Sequence, residues 1–162
     1  MRIGILSDTH DDLPRTRSAV AELRSHGAEV LVHCGDLTTQ AIAAECAVCP
    51  LYFVFGNHDC DSVPELLQAA EVHGATCLRW GGEFSLAGKR IAVVHGHLTM
   101  DLRPLLAAAP DYLLSGHSHI AADWMQGTTR RINPGAVIEA DTHSVALLDL
   151  DSGSLSFLPV PG

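Results

Sequence analysis

Five short apolar runs punctuate the first two thirds of the chain: Ile3-Gly4-Ile5-Leu6, Val30-Leu31-Val32, Leu51-Tyr52-Phe53-Val54-Phe55, Ile91-Ala92-Val93-Val94 and Tyr112-Leu113-Leu114. They are rich in β-branched or aromatic residues and unbroken by polar positions, the pattern of strands covered on both faces. Between them the apolar positions take helical spacing, at Ala19/Val20/Leu23, Val63/Leu66/Leu67/Ala70 and Leu102/Leu105/Leu106/Ala109. Pro14 and Pro64 stand near the starts of the first two helices, and Gly27 and Gly74 follow their ends. The order predicts repeated βαβ crossovers. Beyond Gly116 the segments shorten and alternate. Gly127-Thr128 and Asp151-Ser152-Gly153 read as hairpin turns, so the last third is expected to be mainly antiparallel β. A further hairpin is expected from Phe84-Ser85-Leu86 through Ala87-Gly88 into the Ile91 run. No repeat, low-complexity tract or linker divides the 162 residues, which predicts one domain, 1–162.

Composition narrows the class of partner. Apolar residues make up 47% of the chain, enough for a sizeable core, and the formal net charge is −9. Such a surface repels phosphate backbones, so long DNA or RNA is disfavoured as a partner. No apolar run approaches the roughly 20 residues of a membrane span, and the run after Met1 is too short for a signal sequence, so a cytoplasmic protein with no membrane partner is expected. Five cysteines, at 34, 46, 49, 60 and 77, are odd in number and scattered, as reduced thiols are. Cys46 and Cys49 have redox or zinc spacing but lack a second such pair, and are read as packing residues.

Histidine is the unusual count: ten, against a single lysine, Lys89. Each apolar run is followed at once by a polar cluster: Ser7-Asp8-Thr9-His10, His33-Cys34-Gly35-Asp36, Gly56-Asn57-His58-Asp59, His95-Gly96-His97 and Ser115-Gly116-His117-Ser118-His119. In an α/β sheet the crevice beyond the carboxyl ends of the strands is where ligands bind, so these clusters should meet there. Carboxylates, imidazoles and an amide form a borderline donor set suited to Mn, Fe, Co, Ni or Zn more than Ca. Asp8 and His10 are two apart, as are His117 and His119, so both members of each pair can reach one centre. A single ion cannot use Asp8, His10, Asp36, Asn57, His95, His117 and His119 together; two ions about 3.5–4 Å apart can, if one carboxylate bridges them. Two divalent ions, two aspartates and a hydroxide sum to about +1, an anion-binding centre on an acidic protein.

With these blocks in place the sequence closely resembles the calcineurin-like metallophosphoesterases, in particular their small single-domain phosphodiesterase branch. The resemblance rests on Asp8-Thr9-His10, Gly35-Asp36, Gly56-Asn57-His58-Asp59, His95-Gly96-His97 and Gly116-His117-Ser118-His119, in that order, followed by Asn133-Pro134-Gly135. It implies a four-layer α/β/β/α sandwich of two mixed sheets. It also implies one metal held by Asp8, His10, Asp36 and His119, and a second by Asp36, Asn57, His95 and His117, with Asp36 as the bridge. The chemistry implied is hydrolysis of a small phosphorylated substrate, most simply a phosphodiester, by a metal-bridging hydroxide, with manganese the first candidate metal. His58 is placed as the acid that protonates the leaving oxygen, and Asp59 as the carboxylate that orients it. His97 is assigned to substrate contact, with Asn57 and His58 beside it. The block Asn133-Pro134-Gly135-Ala136 lacks the serine usual in relatives and has no arginine after it, which leaves Arg130 or Arg131 as substitutes for a phosphate contact. A phosphomonoesterase, a protein-binding scaffold like the retromer subunit of the same fold, and a nuclease are the alternatives, and a homo-oligomer is compatible with each.

Overall fold

The computed structural model describes residues 1–162. The chain runs β1 (Arg2–Leu6), α1 (Leu13–Ser25), β2 (Val30–His33), α2 (Gln40–Cys46), β3 (Leu51–Phe53), a 3-10 segment (Asn57–Ser62), α3 (Val63–His73) and β4 (Thr76–Cys77). It continues as β5 (Gly81–Leu86), β6 (Lys89–Val94), α4 (Thr99–Ala107), β7 (Tyr112–Leu114), β8 (Ala121–Gln126), β9 (Thr129–Pro134), β10 (Ser144–Asp149) and β11 (Leu155–Pro159). All five apolar runs become strands, and the three expected hairpins form at β5–β6, β8–β9 and β10–β11.

Two mixed sheets result, in the orders β11-β10-β1-β2-β3-β4 and β5-β6-β7-β9-β8. In the first, β1 to β4 are parallel and β10 runs antiparallel beside β1. In the second, β6, β7 and β9 are parallel. The βαβ rhythm is interrupted at the two-residue β4, where the chain leaves one sheet for the other, and it returns once as β6-α4-β7. β9 is parallel to β7, so the last third is less purely antiparallel than its alternation suggests.

Alternation along the strands assigns the layers. Ile3, Ile5, Val30 and Val32 point between the sheets and meet Ile91, Val93, Leu114 and Ile132 there. Leu6 and Leu31 point the other way, into a core shared with Ala19, Leu23, Ile42 and Leu66 of α1, α2 and α3. Ala92, Val94 and Leu113 face outward onto Leu102, Leu105 and Leu106 of α4. Tyr52 and Phe84 stack across the sheets with centroids 3.8 Å apart. The layer order is α/β/β/α, as expected. Pro14 and Pro64 fall in the first turns of α1 and α3, and Gly74 caps α3 in the left-handed conformation. α4 stops at Ala107, so Ala109 lies outside it, with φ +49°. No helix is long and apolar enough to cross a membrane.

Candidate metal centre and active site

The loops after β1, β2, β3, β6 and β7 bring the polar clusters to one end of the sandwich. Asp8, Asp36 and His95 are buried there, and His10 is largely covered. Three overlapping groups form, Asp8/His10/His119, His10/Asp36/His58 and Asp8/Asp36/His95, each with its ligand atoms within 4.8 Å of one another. His119 Nε2 lies 3.1 Å from Asp8 Oδ1, and His95 Nε2 lies 3.2 Å from Asp36 Oδ2. His10 Nε2 is 3.7 Å from Asp8 and 3.5 Å from Asp36. Asn57 Oδ1 is 3.1 Å from His95 Nε2. His117 stands apart from these groups: its exposed ring is 5.1 Å from that of His95, centroid to centroid, while its backbone N–H donates to Asp8 Oδ2 at 3.2 Å.

The outer edges of two rings fix what the inner edges offer. His95 Nδ1 lies 2.7 Å from the Cys34 carbonyl and His119 Nδ1 lies 2.9 Å from the Glu139 carbonyl. A carbonyl only accepts, so each Nδ1 donates, and in the neutral ring Nε2 is left as a lone pair aimed at the carboxylates. His10 Nε2 is buried with no hydrogen-bond partner at all. Acceptors converging on acceptors, around an orphaned imidazole nitrogen, need a cation among them. The donor set fits a divalent metal on that observation.

The electrostatics show the same demand for positive charge beside the carboxylates, met by the imidazoles themselves where no cation is bound. Burial alone would raise the carboxyls of Asp8 and Asp36, but His10, His95 and, for Asp36, the His58 N–H hold both below the usual carboxylate range. Asp8 raises the pKa of His10 against the effect of burial. Burial is the largest influence on His95 and lowers it, yet Asp36 and Asp8 together outweigh it and raise the pKa.

Backbone geometry makes the convergence sterically feasible. A β-carbon on Gly56 would run into Asp36 Oδ1, and one on Gly116 would meet Ser7 Oγ and Asp8 Oδ2, so both glycines leave room for the aspartates. The His117–His119 loop is stapled from behind. Asn133 Nδ2 donates to the Gly116 carbonyl at 2.8 Å and to Ser118 Oγ at 3.0 Å, while its Oδ1 accepts from the Gly135 N–H.

Four expectations need correcting or locating. The Asp59 carboxylate makes no hydrogen bond to His58. Its buried carboxylate accepts from the backbone N–H groups of Asp36, Leu37, Thr38 and Gly56 at 2.7–3.4 Å, tying the loop after β2 to the loop after β3. Burial raises its pKa in spite of those donors. Arg130 is held by Asp123 and the Gly153 carbonyl, and Arg131 lies over the Trp124 ring and bonds Gln126, so neither stands in for a phosphate-binding arginine. Cys46 is buried in the core and Cys49 packs against it, as read from the sequence. His97 sits beside the centre, its ring 5.4 Å from that of His95, with Nδ1 buried and unpartnered.

His33, which the sequence analysis gave no role, supports the site. It is fully buried behind the ligands, takes the Gly35 N–H on Nδ1 and so presents Nε2–H to Thr9 Oγ1 at 3.1 Å. Its place in the cluster His33-Cys34-Gly35-Asp36 was the available signal.

Comparison with known proteins follows the same lines. A phosphodiesterase of Methanocaldococcus jannaschii (MJ0936) is 25% identical over 138 residues, 83% of this chain and 83% of that protein. Among solved structures, an archaeal phosphodiesterase has a TM-score of 0.87 at 22% identity, covering 98% of this chain and 99% of its own. YfcE, a phosphoesterase from E. coli, has a TM-score of 0.71 at 22% identity, covering 99% and 100%. Vps29 of Chaetomium thermophilum has a TM-score of 0.68 at 18% identity, covering 100% and 96%. At these identities the structures establish a shared fold. The profile of the calcineurin-like phosphoesterase superfamily domain matches residues 1–153, a span that takes in every polar cluster from Asp8 to His119, and the chain belongs to that superfamily as a phosphoesterase.

Proposed function

We propose that the protein hydrolyses a small-molecule phosphodiester in the cytoplasm with the help of two divalent cations, manganese before iron, cobalt, nickel or zinc. The observation that carries this reading is the position of Asp36 Oδ2, 3.5 Å from His10 Nε2 and 3.2 Å from His95 Nε2. One carboxylate oxygen thus faces two imidazoles that come from different sheets, as a bridging ligand must. Asp8, His10, Asp36 and His119 would hold one ion, and Asp36, Asn57, His95 and His117 the other. When bound, the ions supply Lewis-acid neutralisation of the phosphoryl oxygens and an acidified water.

The chain's own side chains do the remainder. Hydrolysis breaks the ester P–O bond, places a water oxygen on phosphorus and leaves an alkoxide that needs a proton. His58 is exposed at the rim with its ring 4.9 Å from that of His10, and its ring N–H is the donor in reach of that oxygen. His97 and Asn57 flank the phosphoryl group, the buried Nδ1 of His97 finding its partner there. Asp59 holds the two loops that carry Asp36 and Asn57 and takes no part in proton transfer. The complete donor set favours catalysis over a scaffold role, since a scaffold has no use for acceptors forced against one another.

The test is metal dependence. A chelator should abolish turnover of a chromogenic phosphodiester, Mn²⁺ should restore it, and elemental analysis should find fewer ions per chain in Asp36→Asn. Turnover indifferent to the chelator would refute the reading.

A further inference from the structure

A cavity of about 930 Å³ opens beside the centre, between the start of β8, the loop after β9 and the end of β11. His119 lines it, and the same ring turns Nε2 to Asp8 Oδ1 at 3.1 Å. The cavity therefore begins at the side chain where the proposed metal centre ends. The Glu139 residue behind that ring holds φ +55°, a left-handed conformation that a glutamate keeps at a cost, and its carbonyl accepts from His119 Nδ1.

The lining has a definite chemistry. Ile120 and Phe157 are large apolar side chains left 68% and 41% exposed, and both face this one cavity. Glu139 and Asp141 are its only charged residues apart from the titratable His119; no arginine or lysine lines it. A phosphoryl group seated at the centre would project one ester arm into this space. A second phosphate or a carboxylate on that arm would meet two like charges with no counter-charge. A cationic arm would meet two carboxylates and an aromatic ring, the combination that recognises alkylammonium groups.

We propose that this cavity is the subsite for one ester arm of the substrate and that it takes an arm carrying an alkylammonium group. The proposal rests on the phosphodiesterase reading above and goes beyond it by fixing the class of substrate: the phosphodiester of an amino alcohol, in preference to a nucleotide or a polyphosphorylated compound.

Two measurements separate the proposal from the reading beneath it. The first needs no metal and no turnover. Choline added to the metal-free protein should give saturable binding by saturation-transfer NMR, weakened about three- to tenfold by Phe157→Ala and more by the double variant Glu139→Gln/Asp141→Asn. Binding that is absent, or is indifferent to those substitutions, overturns the proposal. The second uses the manganese-loaded enzyme and three 4-nitrophenyl phosphodiesters whose other arm is choline, ethyl or thymidine. The choline ester should show the highest kcat/KM, and its advantage over the ethyl ester should collapse in the double variant. Hydrolysis of all three with an unchanged ratio overturns the subsite and leaves the phosphodiesterase standing. Hydrolysis of none, with choline still bound, overturns the phosphodiesterase reading and with it the assignment of the cavity to a substrate arm.

Discussion

Asp8, His10, Asp36, His117 and His119 all hold positive φ, between 41° and 68°. A residue with a β-carbon pays about 1–3 kcal/mol for that conformation, and glycine would avoid it. Their persistence means that the side chains are needed and that surrounding bonds hold the backbone in place, as Asn133 does for the loop after β7 and Asp59 for the loop after β2. His58 is different: it is exposed, and only its backbone N–H is tied down, to Asp36 Oδ1 at 2.9 Å. That freedom suits a group that follows a leaving oxygen. His58→Ala should lower turnover of an alkyl diester by about 10²–10⁴-fold, the usual contribution of a positioned acid, yet slow a 4-nitrophenyl diester far less, because nitrophenoxide leaves without a proton. Matched losses for the two leaving groups, measured as kcat at saturating Mn²⁺, would remove His58 from the role. The residue types of the centre were legible in the sequence because each follows an apolar run directly. The partner of Asp59 was not, because adjacency in sequence suggested His58, while three of its four backbone donors, Asp36, Leu37 and Thr38, lie more than twenty residues away.

At the scale of elements, strand ends carry the site, and β2 shows how. Its last residue, His33, is enclosed on every side, and burial lowers its pKa to about 3, against 6.5 for a free imidazole. The folded chain therefore refuses a proton that the unfolded chain accepts below about pH 6.5. The stabilisation is complete above that pH and is lost as pH falls toward 3, with a slope of at most about 1.4 kcal/mol per pH unit. Urea midpoints should decline more steeply between pH 6.5 and 5 for the wild-type chain than for His33→Gln, which titrates nothing there. Parallel declines would mean that His33 is charged in the fold. Continuous apolar runs made β1, β2, β3, β6 and β7 readable, and glycine-containing turns made the hairpins readable. β4 was not, because its two residues carry no pattern. Nor was the cavity beside His119, whose walls come from three segments, at 118–121, 139–144 and 157–159, with no shared motif.

For the whole molecule, what matters is that the chain changes sheets after β4. No local signal marks that change: β5 simply begins a new alternation at Gly81, and the two-sheet architecture was expected only through the family resemblance. Its consequence is that Asp8, His10, Asp36 and Asn57 follow strands of the first sheet, whereas His95, His117 and His119 follow strands of the second. Ions held by both sets would clamp the sandwich at one end, in addition to the apolar core between the sheets. They would also cancel the repulsion of two aspartates buried side by side. Binding to the folded chain alone stabilises by about 2.7 kcal/mol when the free metal is a hundred times its Kd, which for a chain of this size raises the Tm by about 5–10 °C. Thermal unfolding followed with rising Mn²⁺ should show that increase in the wild-type chain and lose most of it in Asp36→Asn, whose amide cannot bridge as a carboxylate does. A wild-type Tm unmoved by manganese would mean that the two sheets share no ion, whatever the turnover. A rise equal in both proteins would put the metal somewhere other than between His10 and His95.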